Sequence, residues 1–169
     1  TMKGINDKEI TDFVEWTQFE PIHVRFIEFM PFANNQWMSD KVFTYQQILS
    51  QIAEKFDFVK IQDELNDTTK KYQVYNHQGT FAIISTMTAP FCATCNRLRL
   101  TADGKLKNCL FSKGETDLLT LYRNHEDIIP SITQTIKEKE KALGGQLFSD
   151  FTQIDTTQVI NRSMISIGG

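Results

Sequence analysis

The sequence lacks the features that would place it in several large classes of protein. It has no apolar run approaching the roughly 18 residues of a membrane span, and no signal-peptide pattern opens it. It lacks an excess of positive charge: 18 basic against 21 acidic side chains leave a net charge of −3. That argues against a protein that coats nucleic acid, because neutralising phosphates needs Lys and Arg in excess on at least one face. Cysteine is scarce, three in 169 residues, and a chain this long buries roughly 70% of its unfolded surface without help from disulfides or metals. These absences describe one ordinary cytoplasmic domain, or two small ones. In that compartment thiols stay reduced, and clustered cysteines bind metal or react more often than they form bridges.

What is present reads first as α/β. Thr1-Met2-Lys3-Gly4 runs at once into a helix signal, with Asn6 as cap, Glu9 three positions on, and Ile10, Phe13 and Val14 at helical spacing. Such a start suits a piece of something longer and a tagged N-terminus equally. Residues 22–32, a mostly apolar run with Pro21 and Pro31 near its ends, predict a strand buried on both faces of a parallel sheet. Thr44 and Gln47 form a capping box before an apolar stripe of Ile48, Leu49, Ile52, Ala53 and Phe56. Near Asn66 the texture changes. Residues 72–75 and 80–85 are β-rich and flank Asn76-His77-Gln78-Gly79, which predicts a hairpin. Ile128, Ile129, Ile132, Ile136 and Leu143 predict a helix up to Gly144-Gly145, with Lys137, Lys139 and Lys141 suited to its last turns.

All three cysteines fall between Pro90 and Phe111, in Cys92-Ala93-Thr94-Cys95-Asn96-Arg97-Leu98-Arg99-Leu100-Thr101-Ala102-Asp103-Gly104-Lys105-Leu106-Lys107-Asn108-Cys109. A Cys-x-x-Cys pair brings two thiolates to one metal. The third is delivered by a hairpin. If its loop is Ala102-Asp103-Gly104, with Gly104 in the left-handed position, Cys109 lies opposite Arg97 and shares its face. Arg97, Arg99 and Thr101 then form one row beside the metal, and Leu98 and Leu100 turn into the core. Three thiolates and two guanidiniums suit an anion that also touches a metal. The alternatives are a zinc-binding interaction module closed by His23, His77 or His125, an iron–sulfur cluster with one iron open to a non-protein ligand, and a redox pair that leaves Cys109 idle. Arg25 and Glu28 read as an ion pair or as ligand-facing groups at the end of a barrel-like strand. Met30 reads as core filling, and Gly168-Gly169 as a chain end.

The cysteine segment, together with Lys3-Gly4-Ile5-Asn6-Asp7, Arg25-Phe26-Ile27-Glu28-Phe29-Met30-Pro31, Gly114-Glu115-Thr116-Asp117-Leu118, and Arg162-Ser163-Met164 through Ile167-Gly168-Gly169, resembles the C-terminal half of the MoaA family. These are the radical S-adenosylmethionine GTP 3′,8-cyclases, lyases of molybdenum cofactor biosynthesis that convert GTP to (8S)-3′,8-cyclo-7,8-dihydroguanosine 5′-triphosphate. The resemblance implies an α/β chain in two parts. Residues 1–66 would be the last strand and helix elements of an incomplete TIM-type barrel, and 67–169 an α+β domain that binds a [4Fe–4S] cluster and GTP. It implies Cys92, Cys95 and Cys109 as ligands of a cluster with an open iron, and Arg97, Leu98 and Arg99 as the GTP-binding segment. Arg25 would be a phosphate contact, Met30 an S-adenosylmethionine contact, and Gly168-Gly169 a tail that enters the active site. The sequence departs from the family in having no Cys-x-x-x-Cys-x-x-Cys, so the second [4Fe–4S] cluster, which cleaves S-adenosylmethionine, belongs to a missing N-terminal half. The implied partners are GTP and that missing half, with a homodimer left open, and the piece is expected to be inactive alone.

Overall fold

The computed structural model describes residues 1–147 and 150–167, so Gly168 and Gly169 lie outside the described residues. The fold is mixed α/β and divides by compactness into two units, one of Thr1–Met30 and Trp37–Cys95, the other of Pro31–Gln36 and Asn96–Gly169.

The first unit holds α1 (Ile10–Trp16), β1 (His23–Ile27), α2 (Tyr45–Ala53), β2 (Phe58–Lys60), β3 (Lys70–Val74) and β4 (Thr80–Ile84). Its strands lie in the order β1-β4-β3-β2. β1 runs parallel to β4, with His23 opposite Thr80. β3 and β4 form the expected hairpin, with Tyr72 opposite Phe81. The parallel pairing of β1 is as expected, but the expected burial of both its faces is not found. His23, Arg25 and Ile27 are exposed, and the strand buried on both faces is β4, where Phe81, Ala82 and Ile83 are fully enclosed. The sequence of each strand fits this: β1 alternates polar with apolar residues, as a strand with one solvent face does, whereas β4 is a continuous apolar run from Phe81 to Ile84.

The core joins Ile10 and Val14 of α1, Ile48 and Ile52 of α2, and the inner residues of the sheet. Its centre is aromatic. Phe81 stacks on Tyr72 at 5.1 Å between ring centroids, and Phe58 meets both rings edge-on at 5.4 Å. The Thr44–Gln47 capping box is complete: Thr44 Oγ1 accepts from Gln47 N at 3.2 Å, and Gln47 Oε1 accepts from Thr44 N at 2.9 Å. Ala53, expected in the stripe, is exposed. Thr44→Ala should cost about 1 kcal/mol, seen as a lower urea midpoint at unchanged slope. Asn6 does not cap. Its Oδ1 accepts from Met2 N at 2.7 Å, behind the helix, and the first turn, Asp7–Glu9, is a 3₁₀ helix.

The second unit holds β5 (Arg99–Leu100), β6 (Lys105–Lys107), β7 (Thr116–Asp117), α3 (Leu118–Arg123), α4 (Ile129–Lys137) and α5 (Met164–Ile167). Its strands form an antiparallel sheet in the order β5-β6-β7. α4 ends at Lys137, well short of Leu143, with Glu138 as its C-cap; Leu143 and Gly144 take left-handed φ of 49° and 65°. Its isoleucines do not make the expected buried stripe: Ile129 and Ile136 are exposed, and the residue α4 buries is Thr135. Thr135 Oγ1 donates to Ser131 O at 2.8 Å and is bonded to Thr116 Oγ1 at 2.6 Å, while its carbonyl accepts from Asn108 Nδ2 at 3.0 Å. The helix is thus pinned to the sheet through hydroxyls.

Candidate functional site

The β5–β6 hairpin has the expected register. Arg99 lies opposite Lys107 and Leu100 opposite Leu106, and Thr101 N donates to Lys105 O at 2.9 Å, so the loop is Ala102-Asp103-Gly104. Gly104 has φ +76°, and a Cβ there would sit 2.4 Å from Leu119 Cβ. Only glycine fits both the left-handed turn and the close approach. Thr101 organises the turn, its Oγ1 donating to Asp103 Oδ1 at 2.6 Å and accepting from Lys105 N at 3.0 Å. By this register Arg99 and Lys107 share one face; Arg97 and Cys109 lie beyond the ends of the paired strands.

The burial of the two faces differs from expectation. Leu98 and Leu100 are 40% and 65% exposed, not core. The enclosed residues of the polar row are Thr101 and Lys107, at 3% and 1%. The cause is a cover of polar groups distant in sequence. Lys107 Nζ donates to Ser112 O at 2.7 Å and faces Glu115 Oε1 at 3.6 Å. Glu115 Oε2 accepts from Arg162 Nη2 at 2.5 Å, and Arg162 also bonds both Asp103 oxygens, at 2.9 and 2.8 Å. Burial lowers the pKa of Lys107, with Glu115 pulling the other way. Arg162 and Thr101 hold the Asp103 carboxyl well below the usual carboxylate range. Lys107 could have been found in the sequence by carrying the row of Arg97 and Arg99 across the hairpin; no local signal pointed to the pairing of Arg162.

Cys92 opens a 3₁₀ turn, Cys92–Thr94, closed by Cys95 N donating to Cys92 O at 3.2 Å. The chain enters that turn along a loop that Glu28 holds. The Glu28 carboxylate, 1% exposed, accepts from Met87 N at 2.7 Å, Thr88 N at 3.0 Å, Tyr45 N at 2.9 Å and the Thr88 hydroxyl. The expected ion pair with Arg25 gives way to backbone amides, and Arg25 stands exposed on β1. Met30 is half-buried. Cys109 O accepts from Ser112 N at 3.2 Å and Ser112 Oγ at 3.0 Å.

None of the three cysteines is in a disulfide, and all three are half-buried. Cys92 and Cys95 belong to the first unit and Cys109 to the second. Among the described residues no three His, Cys, Asp or Glu side chains are gathered as a metal centre. Three unbridged thiols are nonetheless the donor set that iron–sulfur clusters take. The zinc reading finds no support: none of His23, His77 and His125 joins the cysteines in a metal-binding group among the described residues, and His23 is bonded to Thr80 Oγ1 at 2.5 Å and His77 Nδ1 to Thr17 Oγ1 at 2.8 Å. Burial lowers the pKa of both. No helix among the described residues is long and apolar enough to cross a membrane.

The chain is thus a mixed α/β protein whose second unit carries Arg97 and Arg99 on the hairpin of a three-stranded antiparallel sheet. Residues 22–144 match the family model described as Molybdenum Cofactor Synthesis C, and the chain belongs to that family. It is 41% identical over 99% of its length to GTP 3′,8-cyclase, mitochondrial, of Arabidopsis thaliana, covering 42% of that protein. It is 36% identical over 98% of its length to GTP 3′,8-cyclase of Alkaliphilus oremlandii, covering 49%. To molybdenum cofactor biosynthesis protein 1 of Drosophila melanogaster it is 41% identical over 83% of its length, covering 26%. The chain therefore spans between about a quarter and about half of these relatives, and corresponds to the C-terminal half of the cyclase.

Proposed function

We propose that this chain is the substrate-binding part of a GTP 3′,8-cyclase, a lyase acting in the cytoplasm. Residues 1–66 would supply the last elements of the radical S-adenosylmethionine barrel and 67–169 the domain that binds the second cluster and GTP. The observation that supports the reading is the hairpin register, with Arg99 opposite Lys107, within a segment matched by the family model.

Cys92, Cys95 and Cys109 would hold a [4Fe–4S] cluster by three thiolates. When bound, that cluster offers one iron without a protein ligand to the guanine base. Arg97 and Arg99 hold and orient the anion, because the planar guanidinium fork matches phosphate oxygens or a base edge in two parallel bonds. Leu98, exposed between them, gives the purine an apolar contact. Arg25 takes a phosphate and Met30 packs against S-adenosylmethionine. Gly168-Gly169 enter the confined site where a side chain would not pass. The cluster that cleaves S-adenosylmethionine comes from the N-terminal half of the enzyme, so the piece alone binds but does not cyclise.

Anaerobic reconstitution of the chain should give broad visible absorbance and about four irons per chain, with Cys109→Ala abolishing both. Stoichiometric zinc without iron would overturn the reading.

A further inference from the structure

We propose that Arg162 is a positioning residue: a clasp that fixes the C-terminal segment to the tip of the Arg97/Arg99 hairpin. The inference rests on the reading above, in which hairpin and tail serve one substrate site.

Three consecutive residues before α5 are each docked by side-chain bonds. Ile160 is gripped twice by Gln146, whose Oε1 accepts from Ile160 N at 2.8 Å and whose Nε2 donates to Ile160 O at 2.9 Å. Asn161 Nδ2 donates to Leu110 O at 2.9 Å, next to Cys109. Arg162 then bonds Asp103 at the loop tip and Glu115 beyond β6, and its Nη1 reaches Ser166 O at 3.5 Å in α5.

An isolated surface ion pair would mean little. Here the fork grips one carboxylate in two bonds and a second carboxylate in a third, and the Arg162 and Glu115 side chains are only 24% and 15% exposed. Glu115 is itself committed, lying between Arg162 and the enclosed Lys107. Asp103 is bonded to Thr101 and approached by Lys105 Nζ at 3.9 Å. The two carboxylates are therefore held by the hairpin whether or not Arg162 is there, and Arg162 is the group that recruits the tail to them. Lysine would keep the charge without the fork.

The test is hydrogen exchange on the full-length protein carrying Arg162→Gln, Arg162→Lys, Asp103→Asn or the double change Arg162→Gln with Asp103→Asn. Arg162→Gln should speed amide exchange in residues 163–167 by about tenfold or more, with residues 99–107 changing less than about twofold. Arg162→Lys should fall between, iron content should stay at the unaltered level, and the double variant should exchange no faster than Arg162→Gln alone. Unchanged exchange in 163–167, or additive effects of the two changes, would overturn the clasp. So would loosening of the hairpin and loss of iron together with the tail. Faster tail exchange with cyclisation at the unaltered rate would keep the clasp and remove the tail from the chemistry.

Discussion

Replacing Arg97 or Arg99 by alanine in the full-length protein is expected to lower kcat/KM for GTP cyclisation by about a hundredfold or more, with iron content unchanged. The two effects separate because, in the proposed site, the arginines bind the substrate and supply no ligand to the cluster. The backbone that sets their register stays in place. Arg97 O accepts from Lys139 Nζ at 2.9 Å, and Arg99 is paired to Lys107 by main-chain register. Lysine at either position should recover only part of the loss, since the charge remains but the bidentate geometry does not. Turnover at the unaltered rate in the alanine variants would remove both residues from the substrate site.

Gly144→Ala should destabilise the protein by about 3 kcal/mol or more, lowering the melting temperature by roughly 6–12 °C. Gly144 has φ +65°, and an added Cβ would lie 2.4 Å from the Phe111 carbonyl carbon, 2.5 Å from its oxygen and 2.6 Å from Ser112 N. A left-handed alanine alone costs roughly 1–2 kcal/mol. Backbone cannot swing aside as a flexible side chain does, so the clash adds to it. The displaced segment is the one whose Ser112 bonds Cys109 O and receives Lys107 Nζ, so iron loading should suffer as well. Gly114→Ala is the control: a Cβ there meets nothing within 4 Å. Equal melting temperatures for the two variants would show that the close approach at Gly144 is tolerated.

The parts of the fold that could be read from sequence are those fixed by neighbouring residues. The loop at Ala102-Asp103-Gly104 follows from strand alternation and a glycine able to turn left, and that one inference gave the register bringing Arg99 opposite Lys107. The capping box at Thr44 is local in the same way, and so is the β3–β4 hairpin. What could not be read depends on groups far apart in the chain. Leu98 and Leu100 have the pattern of core residues, yet the covered side is the polar one, because Glu115 and Arg162 arrive there from elsewhere. α4 carries isoleucines at helical spacing, but its contact with the sheet is made by Thr135. At the candidate site, the order of the family's motifs was legible. The choice between zinc and iron was not, because both metals take closely spaced thiolates.

The place of β1 at the end of its sheet bears on solubility. An edge strand presents unpaired main-chain groups to other molecules, and a charged side chain is among the devices that stop two such edges from joining. Arg25, exposed between His23 and Ile27, is placed to be that deterrent. An apolar residue there would promote aggregation through the edge, so a loss of activity in such a variant needs to be measured per soluble molecule before it says anything about GTP.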